Sequence, residues 1–86
     1  MELSDWRKRI DALNMQLLEL LNERAKCAQA IAGLKKKKML PIYDPLREKQ
    51  VFEAVLGKNQ GPLPDEAIQR IFECIIIEHR RLEENT

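Results

Sequence analysis

The fold of this chain is decided by residues 3–38, LSDWRKRIDALNMQLLELLNERAKCAQAIAGLKKKK. Apolar side chains recur there at alternating intervals of three and four residues, which is the pattern of an amphipathic helix. These side chains are Leu3, Trp6, Ile10, Leu13, Leu17, Leu20, Cys27, Ile31 and Leu34. No glycine or proline interrupts the pattern before Gly33, and Pro41 prevents the helix from continuing. The segment is therefore predicted to form one long helix.

This predicted helix is too long for the remainder of the chain to cover. About 36 residues at 1.5 Å per residue make a rod of roughly 54 Å. A compact domain of this length has a radius of gyration of about 12 Å, which corresponds to a much shorter body. Part of the apolar stripe must then be covered by another chain, most simply an identical one. We therefore expect a homodimer.

Composition indicates a single domain, residues 1–86, with a small core of its own. The 15 Lys and Arg residues against 14 Asp and Glu residues give a net charge of +1, so nothing in the charge favours nucleic-acid binding. The sequence has neither a signal-peptide pattern nor an apolar run long enough to span a membrane. Cys27 and Cys74 lie far apart and lack metal-ligand spacing. We expect two buried thiols in a cytoplasmic protein.

Two shorter helices are predicted after the long one. Asp44 is a good N-cap and Pro45 suits the first helical position, so the second helix is expected from Pro45 to near Gly57. A turn with two prolines follows, and the third helix is expected from Asp65 to about Glu84. Because no strand pattern is present, the predicted fold class is all-α, with three helices of long, short and medium length.

Polar residues that interrupt the apolar faces are the candidates for function. Arg24 occupies a position of the apolar seam, and Lys35 follows on the same helix face, roughly 16 Å away. An unpaired cation in such a place is costly, so something anionic must reach it. That anion could be a ligand, or it could be Glu48 or Glu83 of the protein itself.

The other polar residues have ordinary structural explanations when each is considered alone. Asp44, Arg47 and Glu48 fit helix capping and surface charge pairs at i,i+4 spacing. His79 fits a hydrogen-bonded histidine of the core or of an interface, and Glu83 fits a surface carboxylate near a helix end. No single position among them decides the function.

Taken in order, however, these residues resemble the all-helical chorismate mutases over nearly the whole chain. The matching segments are 6–11 (WRKRID), 20–24 (LLNER), 34–35 (LK), 40–48 (LPIYDPLRE) and 71–76 (IFECII). The resemblance implies an intertwined homodimer whose two active sites use residues of both chains. It implies the rearrangement of chorismate to prephenate, in the biosynthesis of phenylalanine and tyrosine, without a metal ion or any other cofactor.

The resemblance also implies how the dianionic substrate would be held. Arg24 would bind one carboxylate, and Arg7 of the other protomer would bind the second, since a guanidinium group can bind a carboxylate through two hydrogen bonds. Arg7 lies about 25 Å before Arg24 along the same helix, too far for both to reach one small ligand within a chain. Lys35 would bond the ether oxygen and a carboxylate, and Arg47 would support the carboxylate side.

The remaining candidates would complete the site around the substrate ring. Asp44 and Glu48 would accept the hydrogen bond of the ring hydroxyl group, and Ile31 and Ile76 would form apolar walls. The resemblance assigns none of these residues to a metal ion.

Two positions depart from the pattern of the family. His79 stands where serine is common; it can still donate to a carboxylate, but it is larger and titratable. Glu83 stands where glutamine is common, and it can donate to the ether oxygen only when it is protonated. Burial should raise the pKa of Glu83, while nearby cations should lower it.

Two other functions fit parts of the sequence. A dimeric helical binding module could use the lysines at 35–38 to contact acidic protein, phosphate or nucleic acid, although this leaves Arg24 unexplained. A weakly active mutase that works while docked on another enzyme of the shikimate pathway would also fit. A change in the chorismate absorbance on addition of the protein distinguishes the enzyme from the binding module.

Overall fold

The computed structural model describes residues 1–86 and contains three α-helices and no strand. Helix α1 spans Leu3–Lys37, α2 spans Pro45–Lys58 and α3 spans Asp65–Glu84. The all-α prediction of a long, a short and a medium helix is confirmed, and each helix boundary agrees with the expected one to within one residue. None of the three helices combines the length and the apolar character needed to cross a bilayer.

The connection between α1 and α2 is shaped by one left-handed residue and by local hydrogen bonds. Met39 adopts a left-handed backbone conformation (φ 56°) just after α1, and the N–H of Leu40 donates to the carbonyl oxygen of Lys35 at 2.8 Å. The carboxylate of Asp44 then accepts a hydrogen bond from the Arg47 N–H at 3.0 Å, and Pro45 is the first residue of α2. The predicted capping of α2 is therefore confirmed.

The core lies where the second half of α1 crosses α3. Helix α3 packs against both other helices, and the four buried residues are Ala28, Ala32, Ile76 and His79. The molecule measures 55 × 24 × 15 Å and has a radius of gyration of 15.9 Å. A compact domain of this length would have a radius of gyration of about 12 Å. The protein is therefore elongated, and its small core occupies only the region where α1 and α3 cross.

The first half of α1 has no cover within the chain. Every residue from 1 to 23 is exposed. The seam residues of this half are between 47% and 64% exposed, and they are Leu3, Trp6, Ile10, Leu13, Leu17 and Leu20. A contiguous apolar stripe of this kind is typical of a surface that contacts another protein.

The prediction that both thiols are buried is wrong for the single chain, because Cys27 and Cys74 are both exposed. Cys74 precedes the buried Ile76 by two residues, and a two-residue step along an α-helix leads to nearly the opposite face. Cys27 lies beside the buried Ala28 and lines a cavity rather than the core.

Candidate active site

A cavity of about 250 Å³ lies between the second half of α1, the α1–α2 connection, the start of α2 and the end of α3. Its lining combines apolar side chains with cations and carboxylates from all three helices. The lining residues are Arg24, Cys27, Ala28, Ile31, Lys35, Ile42, Asp44, Arg47, Glu48, Val51, Ile76, His79, Arg80 and Glu83. Nine of the ten predicted site residues are among them; the tenth, Arg7, lies on the exposed half of α1.

The two cations of α1 that line this cavity have no carboxylate partner within the chain. Nη1 of Arg24 lies 2.7 Å from Nδ1 of His79, and Nζ of Lys35 donates to the carbonyl oxygen of Ile42 at 3.0 Å. The two ion pairs of the structure join other residues, and they are Arg80–Glu48 and Arg81–Glu78. The alternative in which Glu48 or Glu83 pairs with Arg24 or Lys35 is therefore wrong, and both positive charges remain available to an anionic ligand.

The contact with Arg24 fixes the protonation of the His79 ring. A guanidinium group can only donate hydrogen bonds, so Nδ1 of His79 must be an unprotonated acceptor and the ring proton must be on Nε2. Burial, and then the charge of Arg24, lower the pKa of His79. His79 is consequently a neutral residue near neutral pH, with one N–H group left to donate.

The pKa of Glu83 is shifted in the opposite direction to that of His79. Burial raises the pKa of its carboxyl group above the ordinary value, and the charge of Glu48 raises it further, while Lys35, Arg24 and Arg80 oppose the change. Burial and the nearby cations thus act on this pKa in opposite senses, as the sequence suggested. A carboxyl group that holds its proton to higher pH can serve as a hydrogen-bond donor over a wider pH range.

The start of α2 supplies two carboxylates that keep an oxygen free. Oδ1 of Asp44 accepts from the Arg47 N–H, and Oε2 of Glu48 accepts from Nη1 of Arg80 at 2.7 Å. Because each carboxylate has a second oxygen, Asp44 and Glu48 can each accept one more hydrogen bond from a ligand.

Arg80 is the one charged lining residue that sequence reasoning missed; the other lining residues not predicted are Cys27, Ala28, Ile42 and Val51. Two adjacent arginines near a helix end suggest solvated side chains, and Arg81 does have an exposed one. Arg80, however, follows Ile76 by four residues, which places both on one face of α3. This i,i+4 relation to the apolar face was the available signal.

Comparison with known proteins identifies the relatives of the chain. The protein-family model for chorismate mutase type II matches residues 6–84. A bifunctional chorismate mutase/prephenate dehydratase from Aquifex aeolicus is 44% identical over 79 residues, covering 87% of this chain and 22% of that protein. The chain thus spans about a fifth of the length of this relative. A chorismate mutase from Methanocaldococcus jannaschii is 35% identical over 81 residues, covering 93% of this chain and 81% of that protein.

Solved structures of similar sequence share the whole architecture. A chorismate mutase from Thermus thermophilus (form II) superposes with a TM-score of 0.94 at 38% identity, covering 95% of this chain and 93% of that one. A chorismate mutase from Helicobacter pylori in complex with prephenate superposes with a TM-score of 0.89 at 30% identity, covering 96% of this chain and 90% of that one. The similarity therefore extends over all three helices.

Proposed function

The chain belongs to the chorismate mutase type II family, and we propose that it catalyses the rearrangement of chorismate to prephenate. The observation that carries this proposal is the cavity in which Arg24 and Lys35 lack a carboxylate partner while facing apolar walls and hydrogen-bonding groups. Such a lining suits a small dianion with an apolar ring. The prephenate complex of the Helicobacter pylori relative supports the same substrate class.

The rearrangement is a single-substrate step in which one C–O bond breaks as one C–C bond forms. An enzyme accelerates it by holding the substrate in the folded reactive conformation and by stabilising the negative charge that develops on the ether oxygen. No proton needs to be abstracted, and no covalent intermediate is required. The site therefore needs donors in fixed positions rather than a nucleophile.

The cations of α1 would provide two of these functions. Arg24 uses one of its N–H groups to contact His79 and keeps the others for a substrate carboxylate. Lys35 uses one ammonium proton on Ile42 and keeps two, which would bond the ether oxygen and a carboxylate. Arg47, at the start of α2, would add positive charge on the carboxylate side.

The other candidates would orient the ring and complete the donor set. The free oxygens of Asp44 and Glu48 would accept the hydrogen bond of the ring hydroxyl group. Ile31 and Ile76 would exclude water from the apolar side. The protonated carboxyl group of Glu83 would donate to the ether oxygen beside Lys35, while Nε2–H of His79 would donate to a carboxylate.

Each site would be completed by Arg7 of a second copy of the chain. Arg7 is about 25 Å from Arg24 along α1, so within one chain the two cannot bind one ligand. The cavity of about 250 Å³ is also smaller than the roughly 300–1,000 Å³ of ordinary ligand pockets, as expected for a site with one wall missing. The uncovered apolar stripe of α1 supports an intertwined homodimer that would supply this wall.

We expect the free energy of unfolding to depend on the protein concentration, because folding and association would be coupled in such a dimer. The midpoint of denaturant unfolding should rise as the concentration is raised from the low micromolar to the high micromolar range. Sedimentation measurements over the same range should show a dimer. A stable monomer with full activity at micromolar concentration would contradict the proposed assembly.

The proposed activity is tested by mixing purified protein with chorismate and following the ultraviolet absorbance of chorismate. We expect loss of the absorbance with the unmodified protein and with Lys37→Ala, whose lysine is exposed and outside the cavity. We expect almost no loss with Arg24→Ala. If the absorbance is unchanged and the protein binds polyanions in a manner sensitive to salt and to Lys37→Ala, the protein is the binding module instead.

Three further expectations stay predictions. Residues 1–86 would form one mutase domain, and the protein would be cytoplasmic. The Aquifex aeolicus relative is named as a bifunctional protein that combines chorismate mutase and prephenate dehydratase. This combination supports docking of the present domain on another enzyme of the shikimate pathway.

A further inference from the structure

We propose that Arg80 is a positioning residue, which holds Glu48 and Tyr43 and through them fixes the α1–α2 connection and the first turn of α2 over the cavity. The proposal rests on the proposed function in one respect, since it assumes that Glu48 contacts the substrate. Arg80 itself acts through its two neighbours rather than on the reacting atoms.

Two contacts of different kinds meet at the Arg80 guanidinium group. Its Nη1 donates to Oε2 of Glu48 at 2.7 Å, and its central carbon lies 4.7 Å from the centre of the Tyr43 ring. The first contact is a charge-assisted hydrogen bond, and the second has the geometry of a cation–π interaction. One side chain of α3 thus contacts both the connection and α2.

The fold gives this contact particular importance. Helix α2 packs against α3 and makes no direct helix contact with α1. Besides the contacts of Arg80, the connection is held by the backbone hydrogen bond from Leu40 to Lys35 at its start and by the side-chain hydrogen bond from Lys35 to Ile42. That ammonium group would also bind substrate, whereas Arg80 would hold the end of the connection and the first turn of α2 without contacting the substrate.

Arg80 and Glu48 each need the other as a charge partner, because both side chains are largely buried. The side chains of Arg80 and Glu48 are 28% and 25% exposed, so each charge is largely removed from water. A carboxylate that loses its partner at such a place tends to turn toward solvent. Loss of Arg80 would therefore move Glu48 and would leave its negative charge unbalanced beside a dianionic substrate.

Arg81 and Glu78 form an ion pair on the same helix that serves as a control for the pair of Arg80 with Glu48. They also make an arginine–carboxylate bond, at 2.6 Å, but their side chains are 65% and 63% exposed and both belong to α3. Neither residue lines the cavity. Arg81→Met therefore removes one arginine and one ion pair from the same part of α3 without touching the connection.

The kinetic test compares Arg80→Met, Arg80→Lys and Arg81→Met in the intact protein. We expect Arg80→Met to lower kcat/KM for chorismate about tenfold or more, Arg80→Lys to recover part of the loss because it retains a charge for Glu48, and Arg81→Met to have little effect. In a Glu48→Ala background, Arg80→Met should cause less than a roughly twofold further loss, because the two residues act as one unit. Equal losses with and without Glu48 would overturn the positioning role, as would full activity of Arg80→Met.

A second measurement does not depend on activity. Tyr43 is the only tyrosine of the chain, so its ring signals in NMR spectra can be followed without ambiguity. Arg80→Met should shift these signals and speed amide exchange in residues 42–48, whereas Arg81→Met should leave both unchanged. If neither changes in Arg80→Met, the proposal is wrong. If both change but the unmodified protein does not convert chorismate, the proposed function has failed while the structural role of Arg80 stands.

Discussion

Arg24→Ala should lower kcat/KM for chorismate about a thousandfold. Truncating one partner of a desolvated, hydrogen-bonded charge pair costs on the order of 4 kcal/mol, which corresponds to about three powers of ten in rate. The effect should be this large because other cations of the cavity occupy other positions: Lys35 lies roughly 16 Å further along α1, and Arg80 is paired with Glu48. The measurement is the initial rate of chorismate loss across a range of substrate concentrations.

Arg24→Lys is the control that separates charge from geometry. It keeps the positive charge but loses the planar fork that binds a carboxylate through two hydrogen bonds, so an intermediate loss is expected. Arg24→Ala should also raise the pKa of His79, because the arginine charge contributes to lowering it. NMR titration of His79, the single histidine, measures this change in a folded variant. A folded Arg24→Ala protein with kcat/KM near that of the unmodified protein would contradict the assigned role.

The second large effect concerns Glu83 and pH. If its carboxyl group donates to the ether oxygen, activity requires the protonated form, and the fraction of that form falls as pH rises through the pKa. Burial raises this pKa, so the active range extends upward from that of an ordinary glutamate but still ends on the alkaline side. Loss of one such donor costs on the order of 3 kcal/mol, or about a hundredfold in rate. We therefore expect kcat/KM to decline as the pH rises, in measurements that begin near the ordinary glutamate pKa of about 4.3 and extend to the alkaline side of neutrality.

Glu83→Gln should remove this decline, because an amide group donates at any pH. The control is His79→Asn, which keeps an acceptor for Arg24 and does not titrate. Its profile should retain the alkaline decline and lose any acidic decline that arises when His79 is protonated and can no longer accept from Arg24. A flat profile of the unmodified protein, or a Glu83→Gln variant that is inactive at every pH, would show that Glu83 is not the donor.

Helix boundaries could be predicted because they depend on local chemistry. Pro41 ends the long apolar pattern, while Asp44 and Pro45 define the start of α2 through a cap and a fixed backbone angle. The same periodicity indicated that Arg24 and Lys35 share a face of α1, and both line one cavity. The positions of residues near helix starts or on apolar faces could therefore be predicted from the sequence.

Contacts that depend on how the helices cross could not be derived in this way. Arg24 and His79 are 55 positions apart, and their hydrogen bond exists because α1 and α3 cross beside Ala28. The ion pair of Arg80 with Glu48 likewise depends on the packing of α3 against α2. Exposure of Cys74 follows from the rotation of α3 about its axis, which the apolar pattern defined only approximately.

Each active site is proposed to use residues from two copies of the chain, and co-folding of two inactive variants tests this arrangement. Arg7→Ala and Arg24→Ala should each be nearly inactive. Co-folded in equal amounts, they should regain about a quarter of the activity of the unmodified protein. Half of the dimers are then mixed, and in each of these one of the two sites retains both arginines. Native mass spectrometry of the mixture verifies that mixed dimers have formed. If they have formed and the mixture is as inactive as its parts, the sites are not shared between chains.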